Sequence, residues 1–150
     1  MKVNEKSISI FFYKKEDLYF VPSSMSNGAW GDHGPVMVYR TEMLDDAWFV
    51  QVLRCVLSFS RSGISEEELD VIYGSEVLPS KGKGAFTKKS HHISCRLEDE
   101  VLAFSSTKQD GRGGFEYGFD IYTIPESASD TEIYATYQEA MRRSIELDTL

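Results

Sequence analysis

Cysteine, histidine and proline are scarce in this chain, with two, three and four copies among 150 residues. Each scarcity excludes something. Two cysteines, Cys55 and Cys95, both in apolar runs, read as small buried hydrophobes rather than as a disulfide framework. His33, His91 and His92 stand in no CxxC, HxxxH or HExxH spacing, which argues against a zinc centre. His91 and His92 are neighbours in a strand-like run, so their side chains point to opposite faces and cannot share one metal. No cofactor and no metal is expected. Long apolar runs are missing too. Nothing reaches the roughly 18–20 residues that a membrane helix needs, and MKVNEKSISI has neither an apolar core nor a small-residue cleavage site. The expected location is the cytoplasm, away from membranes.

Positive charge is also short. The formal net charge is −8, and residues 1–75 carry 7 basic and 11 acidic side chains against 9 and 13 in residues 76–150. Neither half is basic, which argues against a nucleic-acid partner and favours a basic protein partner drawn in by electrostatic steering. The one dense positive run, LPSKGKGAFTKKS at 78–90, reads as a solvated connection, with a phosphate contact as the weaker reading.

What is present is a globular composition, 41% hydrophobic and 13% aromatic. A single domain of this length buries roughly 70% of its unfolded surface without staples. Strands are predicted at Ile8–Tyr13, Leu18–Pro22 and Pro35–Arg40, from their β-branched and aromatic content. A helix is predicted over Asp45–Arg61 with Gly63 as its stop. Its apolar residues leave only Gln51, Arg54 and Ser58 as a polar stripe, which predicts burial on most of its circumference. The second half repeats the order: strands at His92–Glu98, Val101–Ser106 and Asp120–Pro125, then a helix from the capping box Ser129/Glu132 to about Glu146. Ile133, Tyr137, Ala140, Met141 and Ser144 share one face of that helix.

Landmarks recur 82 to 85 residues apart, as in Ile8 and Ile93, Asp17 and Asp99, Ser23-Ser24 and Ser105-Ser106, and Asp45 and Asp130. Two β-β-β-α halves, about 8–62 and 92–146, joined by a linker at about 63–91, fit this pattern. Chance likeness of two α+β segments is the alternative. The repeat predicts an α+β fold with an antiparallel sheet of about six strands and both helices on one face. A second capping box, Ser65/Glu68, predicts a short extra helix to about Tyr73 between the halves.

Two glycine-rich loops carry the remaining interest. KQDGRGGFEYGFD (Lys108–Asp120) lacks the following helix that a phosphate-cradling loop requires, so its glycines serve a wide β–β connection. SSMSNGAWGDHGP (Ser23–Pro35) is its counterpart. If both loops emerge at one end of the sheet, Trp30, Asp32, His33, Asp110, Arg112, Phe115, Glu116 and Tyr117 form one displayed edge of the types that dominate interface hot spots. The alternative is that Trp30 and Phe115 fold back as minor core residues. Catalysis finds little support: Cys55 sits mid-helix, no serine occupies a nucleophile elbow, and the runs Asp45-Asp46, Glu66–Asp70 and Glu98–Glu100 read as solvated carboxylates. An enzyme using Asp32 and His33 near Arg112 remains as a rival, as does an acidic adaptor or nucleic-acid mimic that binds another protein.

LYFVPSS, then GPVMVY and a helix, then GRGGFE followed by a strand and a final helix, resembles the immunity proteins of bacterial contact-dependent growth inhibition systems, over about residues 8–146. The resemblance implies a small cytoplasmic, non-enzymatic protein encoded beside a toxin. It binds the toxin's C-terminal domain, often a basic nuclease, and neutralises it by blockade.

Overall fold

A computed structural model describes residues 5–26, 29–32, 35–61 and 83–150. The chain runs β1 (Lys6–Tyr13), β2 (Asp17–Ser26), β3 (Ala29–Asp32), β4 (Met37–Arg40), a 3-10 turn (Thr41–Met43) and α1 (Asp46–Leu57). Then come α2 (Lys83–Thr87), β5 (Ser90–Glu98), β6 (Val101–Ser106), β7 (Lys108–Gln109), β8 (Phe115–Glu116), β9 (Ile121–Pro125) and α3 (Asp130–Asp148). Four strands thus precede α1 and five more precede α3, where β-β-β-α was expected of each half; β3, β7 and β8 lie in stretches read as loops. The expected helix at 65–73, the stop at Gly63 and most of the 63–91 linker lie outside the described residues.

All pairings in the main sheet are antiparallel, in the order β3-β2-β1-β5-β6-β9, with β4 also on β2. β3 and β4 share one edge position. β4 pairs Asp17–Phe20 and β3 pairs Ser23–Ser26, so the outer pairing skips Val21 and Pro22. A proline, which has no N–H to give a ladder, sits where that edge is interrupted. Each half therefore supplies three strand positions, and the two halves meet along β1 and β5.

Strand alternation divides the sheet into two faces. Ile8, Ile10, Leu18, Phe20, Ile93, Cys95, Leu102 and Phe104 face α1 and α3 and form the main core with Phe49, Leu53, Val56, Ile133 and Tyr137. Most of these are under 5% exposed, so truncating one, such as Leu53 to Ala, costs about 2–5 kcal/mol. The opposite face holds a smaller aromatic cluster, Phe11, Tyr13, Tyr19 and Val21, capped by Phe86 of α2.

Buried serines fasten each helix to the sheet. The hydroxyl of Ser60 donates to Ser23 O (2.5 Å) and accepts from Ser7 N–H (2.9 Å), and Arg61 N–H donates to Ser24 Oγ (3.0 Å). In the second half, Ser106 donates to Ala140 O (2.8 Å) and Thr107 N–H donates to Ser144 Oγ (3.0 Å). Ser24 within β2 and Ser106 at the end of β6 each make such a bond.

Two expectations for α1 need correction. It starts as predicted, with the Asp45 carboxylate accepting from Trp48 N–H at 2.8 Å. It ends at Leu57 rather than Arg61, because Phe59 and Ser60 close tighter i to i+3 turns and Ser60 leaves the axis to bridge β1 and β2. Nor is it buried on most of its circumference. Ala47, Trp48, Gln51, Arg54, Cys55, Ser58 and Phe59 are all exposed. Cys55 is therefore a surface thiol, and Cys95 alone is the buried hydrophobe expected of both. Burial pushes the Cys95 thiol far up from its ordinary value. α3 matches its reading: the Ser129/Glu132 capping box is formed, and all five residues of its expected face are buried, joined by Leu147.

Candidate functional site

The two glycine loops do not emerge at one end of the sheet. β1 pairs antiparallel with both β2 and β5, and β6 with β5, so β2 and β6 run in opposite directions. The 23–35 stretch, expected as a loop, instead extends β2 to Ser26 and returns as β3, and it leaves one end of the sheet while the 107–120 loop leaves the other. Three strands separate β3 from β6, which is about 19 Å at ordinary strand spacing. The single displayed edge expected from the sequence fails because the central pairing turns the second half end for end. Trp30 and Asp32 sit in β3, in register with Met25 and Ser23 of β2. His33 lies outside the described residues.

The 107–120 loop folds back over the open face of the sheet. Its root is shaped by Asp110, whose Oδ1 accepts from Arg112 N–H (2.6 Å) and Gly114 N–H (3.0 Å). Those two bonds, the Arg112 one foremost, hold the Asp110 carboxyl below its ordinary value. Gly111 and Gly113 take φ of 81° and 94°, a region that suits glycine. A Cβ on Gly114 would lie 2.6 Å from Asp110 Oδ2, so the cradle needs glycine there for room. The Thr87 hydroxyl donates to Gly113 O (2.6 Å), and the Gln109 amide reaches Lys88 O (3.2 Å) and Ser90 O.

Phe115 packs inward, 5.9 Å from Phe11 and 4.5 Å from His92, and joins the smaller aromatic cluster. Of the two readings of Phe115, folding back is the one realised in the free chain. His92 is 2% exposed on this face, while His91 bonds Asp148 Oδ2 at 2.5 Å near the end of α3, so the neighbours do diverge. Arg112, Glu116 and Tyr117 remain exposed beyond the peg.

Past Phe115 the loop forms one lip of a groove of about 460 Å³. Small side chains of β5 and β6, Ser94, Ala103 and Ser105, make its floor, with Arg96 and Glu98 alongside. Its lip carries Tyr117, Phe119 and Ile121, which are 58%, 37% and 63% exposed. Three large apolar groups at alternate positions next to a groove of small residues form an exposed apolar patch rather than core. Phe119, Ile121 and Arg96 were not singled out in the sequence, and Glu98 reads there only as one of a run of solvated carboxylates. Their signal was the alternation Tyr-x-Phe-x-Ile, hidden behind the glycines.

Beside the groove, Glu98 leads to the tip Asp99-Glu100 of the β5–β6 turn, and Glu126 N–H bonds Glu100 O at 2.9 Å. At the opposite end, Lys14 N–H donates to Lys89 O (3.0 Å), bringing Lys14-Lys15 against Lys88-Lys89. Among the described residues no group of three or more His, Cys, Asp or Glu side chains is close enough to hold a metal ion. No described helix is long and apolar enough to cross a membrane.

No protein-family model matches this chain, and no curated protein does. Solved structures do. The fold is similar to a protein of unknown function from Neisseria meningitidis, with a TM-score of 0.76 and 16% identity over 95% of this chain and 97% of that one. It is also similar to a chain of the CdiA-CT/CdiI toxin and immunity complex from Yersinia pseudotuberculosis, with a TM-score of 0.73 and 15% identity over 94% of this chain and 98% of that one. Both likenesses span nearly the whole of each chain and concern the fold.

Proposed function

We propose that this chain is an immunity-type protein that binds the C-terminal domain of a cognate toxin and neutralises it by occupying it, with no chemistry of its own. The observation that carries the reading is the shared fold, end to end, with a chain from a toxin and immunity complex. The exposed lip Tyr117, Phe119 and Ile121, set beside a groove and an acidic turn, supports it as a place where such a partner would grip. In this reading the aromatic lip supplies the desolvated anchor, and Glu98, Asp99, Glu100 and Glu116 steer a basic partner such as a nuclease. Arg112 and Asp110 shape and flank the lip. Trp30 and Asp32, on the far edge strand β3, belong to this contact only if the partner is large enough to wrap the sheet.

The test is a surface-immobilised binding assay with the toxin domain encoded beside this gene. Replacing both Tyr117 and Phe119 by Ala should shorten the lifetime of the complex at least ~100-fold, as loss of anchor residues does. Reversing Asp99 and Glu100 to Lys, or raising the salt, should slow association and leave the lifetime nearly unchanged. Unaltered binding by the Tyr117/Phe119 variant would move the site elsewhere. An on-rate indifferent to salt would remove the steering.

A further inference from the structure

We propose that the last two turns of α3 are a clamp that sets the 107–120 loop before any partner arrives, with Ser144 and Asp148 as its positioning residues. The part that concerns a partner rests on the proposed function; the clamp itself does not. Residues of α3 hold the loop at both its ends. Ser144 Oγ accepts from Thr107 N–H at 3.0 Å. Asp148 Oδ1 accepts from Gln109 N–H at 2.7 Å, and its Oδ2 bonds His91 Nδ1 at 2.5 Å. At the far root, Arg143 Nε donates to Asp120 Oδ2 at 2.5 Å. Ser106 N–H donates to Asp120 O (2.9 Å) and closes the neck between the two roots.

Asp148 sits at a cost to its own helix. It is the last residue of α3, and its side chain is 5% exposed. A carboxylate there meets the negative end of the helix dipole, and burial adds a desolvation cost. The last turn of α3 has no basic residue to offset either. The offset comes from β5 and β7, with one oxygen on His91 and the other on the loop backbone. A residue that weakens its own helix while holding a loop marks the loop as the part that needs placing. The hold is passed on from there. The Gln109 amide donates to Lys88 O (3.2 Å) and Ser90 O, and β7 pairs Gln109 with Phe115, the peg two residues before Tyr117. The Arg143–Asp120 pair, 34% and 50% exposed, is the weaker hold. A preset lip binds without first having to be ordered. When the clamp opens, apparent affinity falls with the closed fraction, and the loss appears in association because the complex forms from the closed loop. Contact residues such as Tyr117 and Phe119 act on lifetime instead.

Amide exchange of the free chain tests the clamp. The double variant Ser144→Ala/Asp148→Ala should speed exchange at least ~100-fold at Ser106, Arg112 and Gly114, while Ile10 and Phe104 in the core strands keep native protection. Ser144→Ala alone changes no charge and little volume, and should speed it at least ~threefold; it decides the matter should the double variant not fold. Against the toxin domain, the double variant should associate at least ~tenfold more slowly with a nearly native lifetime. Native exchange at all three amides overturns the clamp. Fast exchange with native association overturns the presetting of the lip, and a shortened lifetime with native association makes the end of α3 a contact instead of a clamp. If the native chain binds no toxin domain, the proposed function fails and exchange alone still decides the clamp.

Discussion

His92 lies beneath Phe115 with ring centroids 4.5 Å apart and planes at 28°. Hydroxyls fix the imidazole from both sides. Thr107 donates its only hydroxyl proton to His92 O (2.6 Å), so it accepts from His92 Nδ1–H at 3.0 Å. His92 Nε2 shares a hydrogen bond with the Ser9 hydroxyl at 3.1 Å. The ring carries a proton at Nδ1, and the glycine loop is pegged over it.

His92→Ala should therefore cost about 2–4 kcal/mol in urea unfolding, combining a cavity with loss of both imidazole hydrogen bonds, while Thr107 keeps its bond to the carbonyl of residue 92. His92→Phe keeps the stack and loses the same two bonds, so it should lose about 1–3 kcal/mol. If the Phe variant matched the native chain, the hydrogen bonds would be contributing nothing. Imidazole nitrogen shifts by NMR should report Nδ1 protonated.

Gly114→Ala should break the Asp110 cradle and release the loop while the sheet stays intact. Amide exchange at Arg112 and Gly114 measures it, and both should lose protection. Asp110→Ala should produce the same loss, and the double variant should be no worse than either, because the two changes remove one arrangement.

The β5–β6 turn has two residues, Asp99 and Glu100, at φ of 52° and 64°. Both central positions of such a hairpin turn favour Gly or Asn. Glu100→Gly should raise stability by up to about 1 kcal/mol, since an L side chain is disfavoured there and glycine is not. The chemical denaturation midpoint should rise with unchanged slope. If the acidic tip steers the partner, the same variant should associate more slowly.

Acid should loosen particular places first. Asp46 is held below its ordinary value chiefly by the Thr131 hydroxyl (2.5 Å), Asp110 by backbone N–H groups, and Glu146 chiefly by Arg143. A carboxyl with a lowered folded pKa contributes stability above its unfolded value, about 3.9 for Asp and 4.3 for Glu, and loses it as pH falls through the folded value. Carboxyl NMR titration should place all three midpoints below those values. Amides at the start of α1 and in the 110–114 loop should lose protection below about pH 4, and Asp46→Asn should abolish the α1 response.

Much of this was legible in the chain. Strand positions, both main helices and the Ser129 cap followed from local patterns that the tertiary fold leaves in place. Three things were not. The direction of the 107–120 loop depends on β1 pairing with β5, a contact between segments 83 residues apart at Ser9 and His92 that no local pattern encodes. The exposure of Trp48 and Cys55 was misread because apolar residues were counted along α1 without their angle around its axis. The groove was missed because its floor consists of serine and alanine, which look unremarkable until the loop closes over them.

The most direct measurement is growth of bacteria that express the adjacent toxin's C-terminal domain, with and without this chain, alongside co-purification of the two proteins. The account predicts restored growth, a stable stoichiometric complex, and loss of both when Tyr117 and Phe119 are replaced together. Equal killing in the presence and absence of this chain, with no complex recovered, would contradict it.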